Sequence, residues 1–130
     1  MKKNKILIIG FGYVGKYLGA LFLKNNISFD VLDIKKNVKE DFYIFLKNQK
    51  HNFDDRQELN FLDYNAINTE YDYIIMCLPT PKKNNKPDIS SILNSRNRIK
   101  NLIGPRTCLI LESTVYPGTT RNILAKHLKS

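Results

Sequence analysis

"KILIIGFGYVG", residues 5–15, changes character at Gly10. Ahead of it runs a short, continuously apolar, β-branched segment, the pattern of a strand buried on both faces as in a parallel sheet. Beyond it come Gly12 and Gly15, and the period switches to that of a helix. From Tyr13 to about Lys24, Val14, Leu18, Leu21 and Phe22 fall on one helical face. A strand that runs through a glycine turn into a helix begins a βαβ unit.

The rest of the chain continues the alternation. "FDVLD" (29–33) reads as a second strand ending at Asp33, and helical spacing returns over 37–50 through Val38, Phe42, Phe45 and Leu46. "HNFDDRQ" (51–57) is a polar connector, and "ELNFL" (58–62) reads as a short third strand. "YDYIIMCL" (71–78) is a fourth strand, halted by Pro79. "PTPKKNNKP" (79–87), with three prolines and no periodicity, is expected to be irregular. Asp88 stands where an N-cap would open a helix carrying Ile89, Ile92, Leu93 and Ile99. "TCLILE" (107–112) is the fifth strand, and Thr119 or Thr120 is expected to cap a last helix. Strands alternating with helices require right-handed crossovers and a parallel sheet. The expected fold class is therefore α/β, an open, doubly wound, Rossmann-like parallel sheet of about five strands in the order 3-2-1-4-5. Residues 1–130 read as one domain with no linker or internal repeat.

Composition narrows the function classes. The formal charge of +9, from 21 Lys and Arg against 12 Asp and Glu, favours an anionic partner. The charges are scattered, with small clusters at 1–5, 35–36 and 82–86, and no basic helix or aromatic-interleaved stripe marks a nucleic-acid surface. Cys77 and Cys108 each sit in an apolar run and read as buried free thiols, not as a disulfide framework. His51 and His127 are isolated, so no metal site is expected. No run approaches the roughly 18 apolar residues of a membrane span, and the apolar part of "MKKNKILIIG" is too short for a signal sequence. A cytoplasmic location without membrane contact is the expectation.

The glycine turn carries the first chemical signal. In "GFGYVG" (10–15), Gly10 permits the tight turn, Gly12 admits a pyrophosphate close to the backbone, and Gly15 lets helix and strand pack closely. Tyr13 and Val14 fill the intervening positions, where free N–H groups at the positive end of the helix would face the phosphates. A glycine turn alone can be purely steric. A second requirement is an acidic residue at the end of the second strand, and Asp33 meets it 23 positions after Gly10. Its carboxylate would hold adenosine ribose hydroxyls and repel a 2′-phosphate, which points to NAD as the cofactor. Lys35 and Lys36 soften that repulsion.

Two later stretches fall on the same edge. Ligands of open α/β sheets bind beyond the carboxyl ends of the strands, near the switch point. "LPTP" (78–81) leaves the fourth strand, with Pro79 and Pro81 holding Thr80 extended, and "ESTVYPGTT" (112–120) leaves the fifth, offering Ser113 and Thr114. The candidate cofactor-binding set is thus Gly10, Gly12, Tyr13, Val14, Gly15, Asp33, Lys35, Pro79, Thr80, Ser113 and Thr114.

With "GFGYVG", "LPTPKKNNKPDIS" and "ESTVYPGTT" in this order, nearly the whole chain resembles the N-terminal domain of the UDP-glucose/GDP-mannose dehydrogenase family. Within it, the chain is most similar to bacterial enzymes that oxidise UDP-N-acetylhexosamines to uronic acids for surface polysaccharides. The resemblance implies NAD-dependent double oxidation of a sugar C6 alcohol. It implies that Gly10, Gly12, Gly15 and Asp33 hold adenosine and pyrophosphate, with Thr80 and Thr114 nearer the nicotinamide. Cys77 matches a strand residue of the family and not its nucleophile. The family's catalytic cysteine, lysine and asparagine, and most of its UDP-sugar site, find no match here. No catalytic residue is therefore expected in this chain, Thr114 being a candidate contributor. A UDP-sugar is a partner only of a full-length parent. The expectation is a truncated, NAD-binding fragment that binds without turnover and self-associates through the exposed edge of its fifth strand. The alternative, a stand-alone NAD-sensing regulatory module, leaves "LPTP" and "ESTVYPGTT" unexplained.

Overall fold

Why the short strands form where they do is visible in their burial. In the computed structural model, which describes residues 3–50, 59–67, 69–115 and 117–126, β1 (Ile6–Ile9) lies in the middle of a five-stranded sheet. Leu7 and Ile9 point to one face and Ile8 to the other, and all three are fully buried. After β1 come α1 (Tyr13–Lys24), β2 (Phe29–Leu32), α2 (Val38–Asn48), β3 (Leu59–Leu62) and β4 (Tyr71–Met76). A two-residue ribbon, β5 (Lys82–Lys83) and β6 (Lys86–Pro87), precedes α3 (Ser90–Arg98). A 3₁₀ turn (Lys100–Leu102), β7 (Ile103–Leu111) and a helical segment of π type (Thr119–Ala125) complete the chain's elements. The sheet order is β3-β2-β1-β4-β7, every pair parallel. This is the expected doubly wound topology, the fifth large strand being β7. One core packs under α1 and α2 around Ile8, Phe11 and Phe42. The other packs under α3 and the final helical segment around Leu7, Ile74 and Ile92.

Several local expectations are corrected. Val14 and Leu21, placed on the buried stripe of α1, are 51% and 55% exposed. The face that meets the sheet carries Gly15, Gly19, Ala20 and Leu23, with Leu18 and Phe22 of the expected stripe half-buried against the same core. Glycine is required there by contact. A Cβ on Gly19 would stand 2.7 Å from Phe11 Cζ, and one on Gly15 would collide with the Gly10 carbonyl oxygen. Residues 79–87 are not wholly irregular, because Asn84 and Asn85, at φ of 51° and 62°, turn Lys82–Lys83 back onto Lys86–Pro87. Asparagine is among the few side chains that accept two successive left-handed positions, which a tight hairpin turn needs. Asp88 stands one residue before the cap position, which Ile89 occupies, but its carboxylate still accepts from the Ser90 N–H at 3.0 Å. Gly118, at φ 87°, occupies the cap position expected for Thr119 or Thr120.

β7 starts four residues before its predicted beginning. Tyr71 pairs with Ile103 and Tyr73 with Cys108, so residues 104–107 bulge between those pairs. Thr107 closes the bulge, its hydroxyl accepting from the Gly104 N–H at 2.8 Å and donating to the Tyr71 carbonyl at 2.6 Å. Among the described residues β7 forms the sheet's edge and contains no buried residue. Cys108 is exposed for that reason, against the expectation of two buried thiols, while Cys77 is buried. Burial, and secondarily the charge of Glu112, pushes the Cys77 thiol from its ordinary 9.0 up to about 11. A thiol reagent at mildly alkaline pH is therefore expected to modify one cysteine per native chain quickly and the other only on unfolding. Two fast thiols would contradict the burial of Cys77. His51, His127 and the 51–57 connector lie outside the described residues.

Candidate functional site at the carboxyl edge of the sheet

At the end of β1 the chain must turn sharply and immediately start α1. Gly10 does this at φ 87°, its N–H donating to the Leu32 carbonyl at 2.8 Å. A Cβ there would lie 2.6 Å from the Cys77 carbonyl oxygen. Phe11, between the two glycines, is buried against Phe42, with ring centroids 4.7 Å apart and nearly perpendicular. The loop is thus anchored from below by an aromatic side chain.

Asp33 anchors it from the side. Oδ2 accepts from the Phe11 N–H at 2.7 Å, and Oδ1 accepts from the Lys35 N–H at 2.9 Å. Each carboxylate oxygen has a second lone pair, so two acceptor positions remain for a ligand. Gly12, the residue before α1, has nothing within 4 Å of where a Cβ would be. No side chain caps α1, and no acidic residue stands in its first turn. Its leading N–H groups are therefore left for an anion.

Around this loop lies a cleft of about 530 Å³. Of the sequence-predicted residues it gathers Gly10, Gly12, Tyr13, Val14, Asp33, Lys35 and Pro79. Gly15 lies beneath, packed on Gly10. Thr80, Ser113 and Thr114 do not line this cleft. Ser113 donates its hydroxyl to the Leu78 carbonyl at 2.7 Å, tying the exits of β4 and β7 together, while Thr114 is exposed. Among the described residues no group of His, Cys, Asp or Glu is placed to hold a metal ion, and no helix is long and apolar enough to cross a membrane.

Sequence reasoning missed the opposite wall. Ser91, Asn94, Ser95 and Arg98 of α3 line the cleft, together with Tyr64 from the turn after β3. Those four recur at i, i+3, i+4 and i+7, which puts them on one helical face. The signal lies in the polar positions of that segment, between the apolar ones that mark it as a helix. Beyond Asp33 a second cleft of about 1010 Å³ opens, sharing Asp33, Ile34, Lys35, Val38, Tyr64 and Arg98 with the first. Burial raises the Tyr64 phenol above its ordinary value, while its contact with Ser95 and the charge of Arg98 pull the other way.

The arrangement suits a dinucleotide on steric grounds: an open glycine, an uncapped helix start and an acid with spare acceptor capacity. Comparison with known proteins gives it a context. Residues 4–130 match the model of the UDP-glucose/GDP-mannose dehydrogenase family, NAD binding domain. Protein CapL of Staphylococcus aureus is 32% identical over 133 residues, covering 92% of this chain and 29% of its own length. A UDP-N-acetyl-D-mannosamine dehydrogenase of Campylobacter jejuni is 28% identical over 130 residues, covering 92% of this chain and 31% of its own. Among solved structures, the UDP-N-acetyl-mannosamine dehydrogenase Cap5O of Staphylococcus aureus superposes with a TM-score of 0.71. It is 19% identical, over 96% of this chain and 32% of that one. The chain spans about a third of the length of the curated relatives it matches.

Proposed function

The chain belongs to the UDP-glucose/GDP-mannose dehydrogenase family, as its NAD-binding domain, and on that premise we propose that residues 1–130 are the cofactor half of a nucleotide-sugar 6-dehydrogenase. The whole protein would oxidise the C6 alcohol of a UDP-N-acetylhexosamine to the uronic acid, as the names of its relatives suggest. The single observation that carries this reading is Gly12. Its open side faces the cleft, beside the uncapped start of α1 and the acceptor pair of Asp33.

Bound NAD would supply the hydride acceptor. The residues here bind and orient. The backbone at Gly12, Tyr13 and Val14 receives the pyrophosphate. The spare lone pairs of Asp33 accept from ribose hydroxyls, and its charge disfavours a 2′-phosphate, which the neighbouring Lys35 moderates. Thr80, Ser113 and Thr114, at the exits of β4 and β7, serve the nicotinamide end. The Ser113 hydroxyl already donates its hydrogen bond to the Leu78 carbonyl and can act there only as an acceptor.

We also propose that these residues bind without turnover. The first hydride transfer requires the C6 alcohol held against the nicotinamide by a sugar site that finds no match in these residues. Oxidation beyond the aldehyde requires a nucleophile on the carbonyl carbon, for which a thiolate is the attacking form. Cys77 is buried with its thiol pushed up to about 11, and Cys108 lies on the edge strand and not in the cleft. The test is a titration with NAD and NADP followed by addition of UDP-N-acetylmannosamine or UDP-N-acetylglucosamine. NAD is expected to bind about tenfold or more tightly than NADP, the size of a close charge repulsion in a partly solvated site. No NADH should form. Equal affinity would remove the role given to Asp33, and NADH formation would refute binding without turnover. NADP is a better probe than Asp33→Ala, which also frees the Phe11 amide and so loosens the loop itself.

A further inference from the structure

Resting on the reading of this cleft as an NAD site, we propose that Arg98 is an adenine-positioning residue, its guanidinium forming a stacking wall opposite Ile34. Four observations converge. The two clefts on either side of Asp33 form one groove, because they share Ile34, Tyr64 and Arg98 as well as Asp33 itself. The guanidinium carbon of Arg98 stands 5.2 Å from the centroid of the Tyr64 ring, within the range of a cation–π contact. Tyr64 is held in turn, its hydroxyl 3.3 Å from Oγ of Ser95, a residue only 4% exposed. Ile34, directly after Asp33, is 79% exposed at the rim of the groove. An isoleucine in water gains from any apolar face laid against it.

The chemistry of these groups selects a flat, aromatic, electron-rich ligand part. A guanidinium is planar and weakly hydrated, so both of its faces can stack: one on Tyr64, the other on a nucleobase. Among the described residues Arg98 makes no ion pair, and the Tyr64 ring is the contact that holds it. A cation serving only as a phosphate counter-charge would need no ring behind it. Asp33 fixes the ribose end of the adenosine. The groove that continues past it towards Ile34 and Arg98 therefore accommodates the base.

The decisive experiment is calorimetric binding of NAD and of ADP-ribose to the wild-type chain, Arg98→Ala and Arg98→Lys. ADP-ribose keeps adenine, ribose and pyrophosphate and lacks the nicotinamide. Arg98→Ala should weaken both ligands by about tenfold, the usual worth of one base stack. Arg98→Lys, with the charge but not the plane, should recover less than half of that loss on a logarithmic scale. The melting temperatures of all three should agree, since Arg98 is exposed. Two outcomes overturn the inference with the NAD reading intact: Arg98→Ala within twofold of wild type, or Arg98→Lys equal to it. Absence of binding by the wild-type chain would overturn the NAD reading and this inference together.

Discussion

Gly10→Ala is expected to destabilise the chain by about 2–5 kcal/mol. Two costs add. Alanine at φ 87° loses roughly 1–2 kcal/mol in the left-handed region. Its Cβ would also stand 2.6 Å from the Cys77 carbonyl oxygen and 2.9 Å from the carbonyl carbon. That obstacle is backbone at the end of a central strand, tied to β1 by the Cys77 N–H bond to the Ile9 carbonyl at 2.7 Å, so it cannot yield cheaply. Forced overpacking of this kind costs about 1–3 kcal/mol. Against the 5–15 kcal/mol typical of a whole domain, the sum removes a large share. Thermal unfolding should show a midpoint lower by on the order of 10 °C. A loss below about 1 kcal/mol would mean that the turn is softer than its geometry indicates.

Gly12→Ala, the same substitution two residues on, should have the opposite phenotype. No atom lies within 4 Å of the added Cβ, and the backbone there, at φ −80° and ψ −143°, is not left-handed as it is at Gly10. The stability cost should stay near 1 kcal/mol, the difference between glycine and alanine before a helix. The methyl group would fill the space through which the pyrophosphate reaches the backbone. NAD affinity should therefore fall by about 10- to 100-fold, or roughly 1.4–2.8 kcal/mol. Retained affinity with a lowered melting point would reverse the roles assigned to the two glycines. The pair separates a folding glycine from a binding one within a single turn.

That division was legible in the sequence only in outline. Strand–turn–helix, the position of Asp33 and the sheet order followed from runs such as "KILIIG", because strands buried on both faces leave an unmistakable apolar signature. The buried face of α1 followed only in part, through Leu18 and Phe22. Helical periodicity counts apolar side chains, whereas this helix approaches the sheet through Gly15 and Gly19, which have none. Phe11 was missed as well. Lying between two glycines it belongs to no apolar pattern, yet its ring fixes the loop against Phe42. The α3 wall was lost for the converse reason, its information residing in polar residues at helical spacing. Cys108 and the beginning of β7 depended on which strand ends at the sheet's edge and on a bulge closed by Thr107. Neither leaves a local pattern. Asn84–Asn85, in contrast, was a readable hairpin signal overshadowed by the prolines around it.

On the proposed function, the glycine loop, the open flank at Gly12 and the Asp33 clamp together make a working NAD site. Calorimetric titration of the chain with NAD addresses it most directly. Saturable binding at one NAD per chain is the predicted result. No saturable heat at millimolar NAD would contradict it, leaving a dehydrogenase fold whose cofactor edge does not bind in these residues alone.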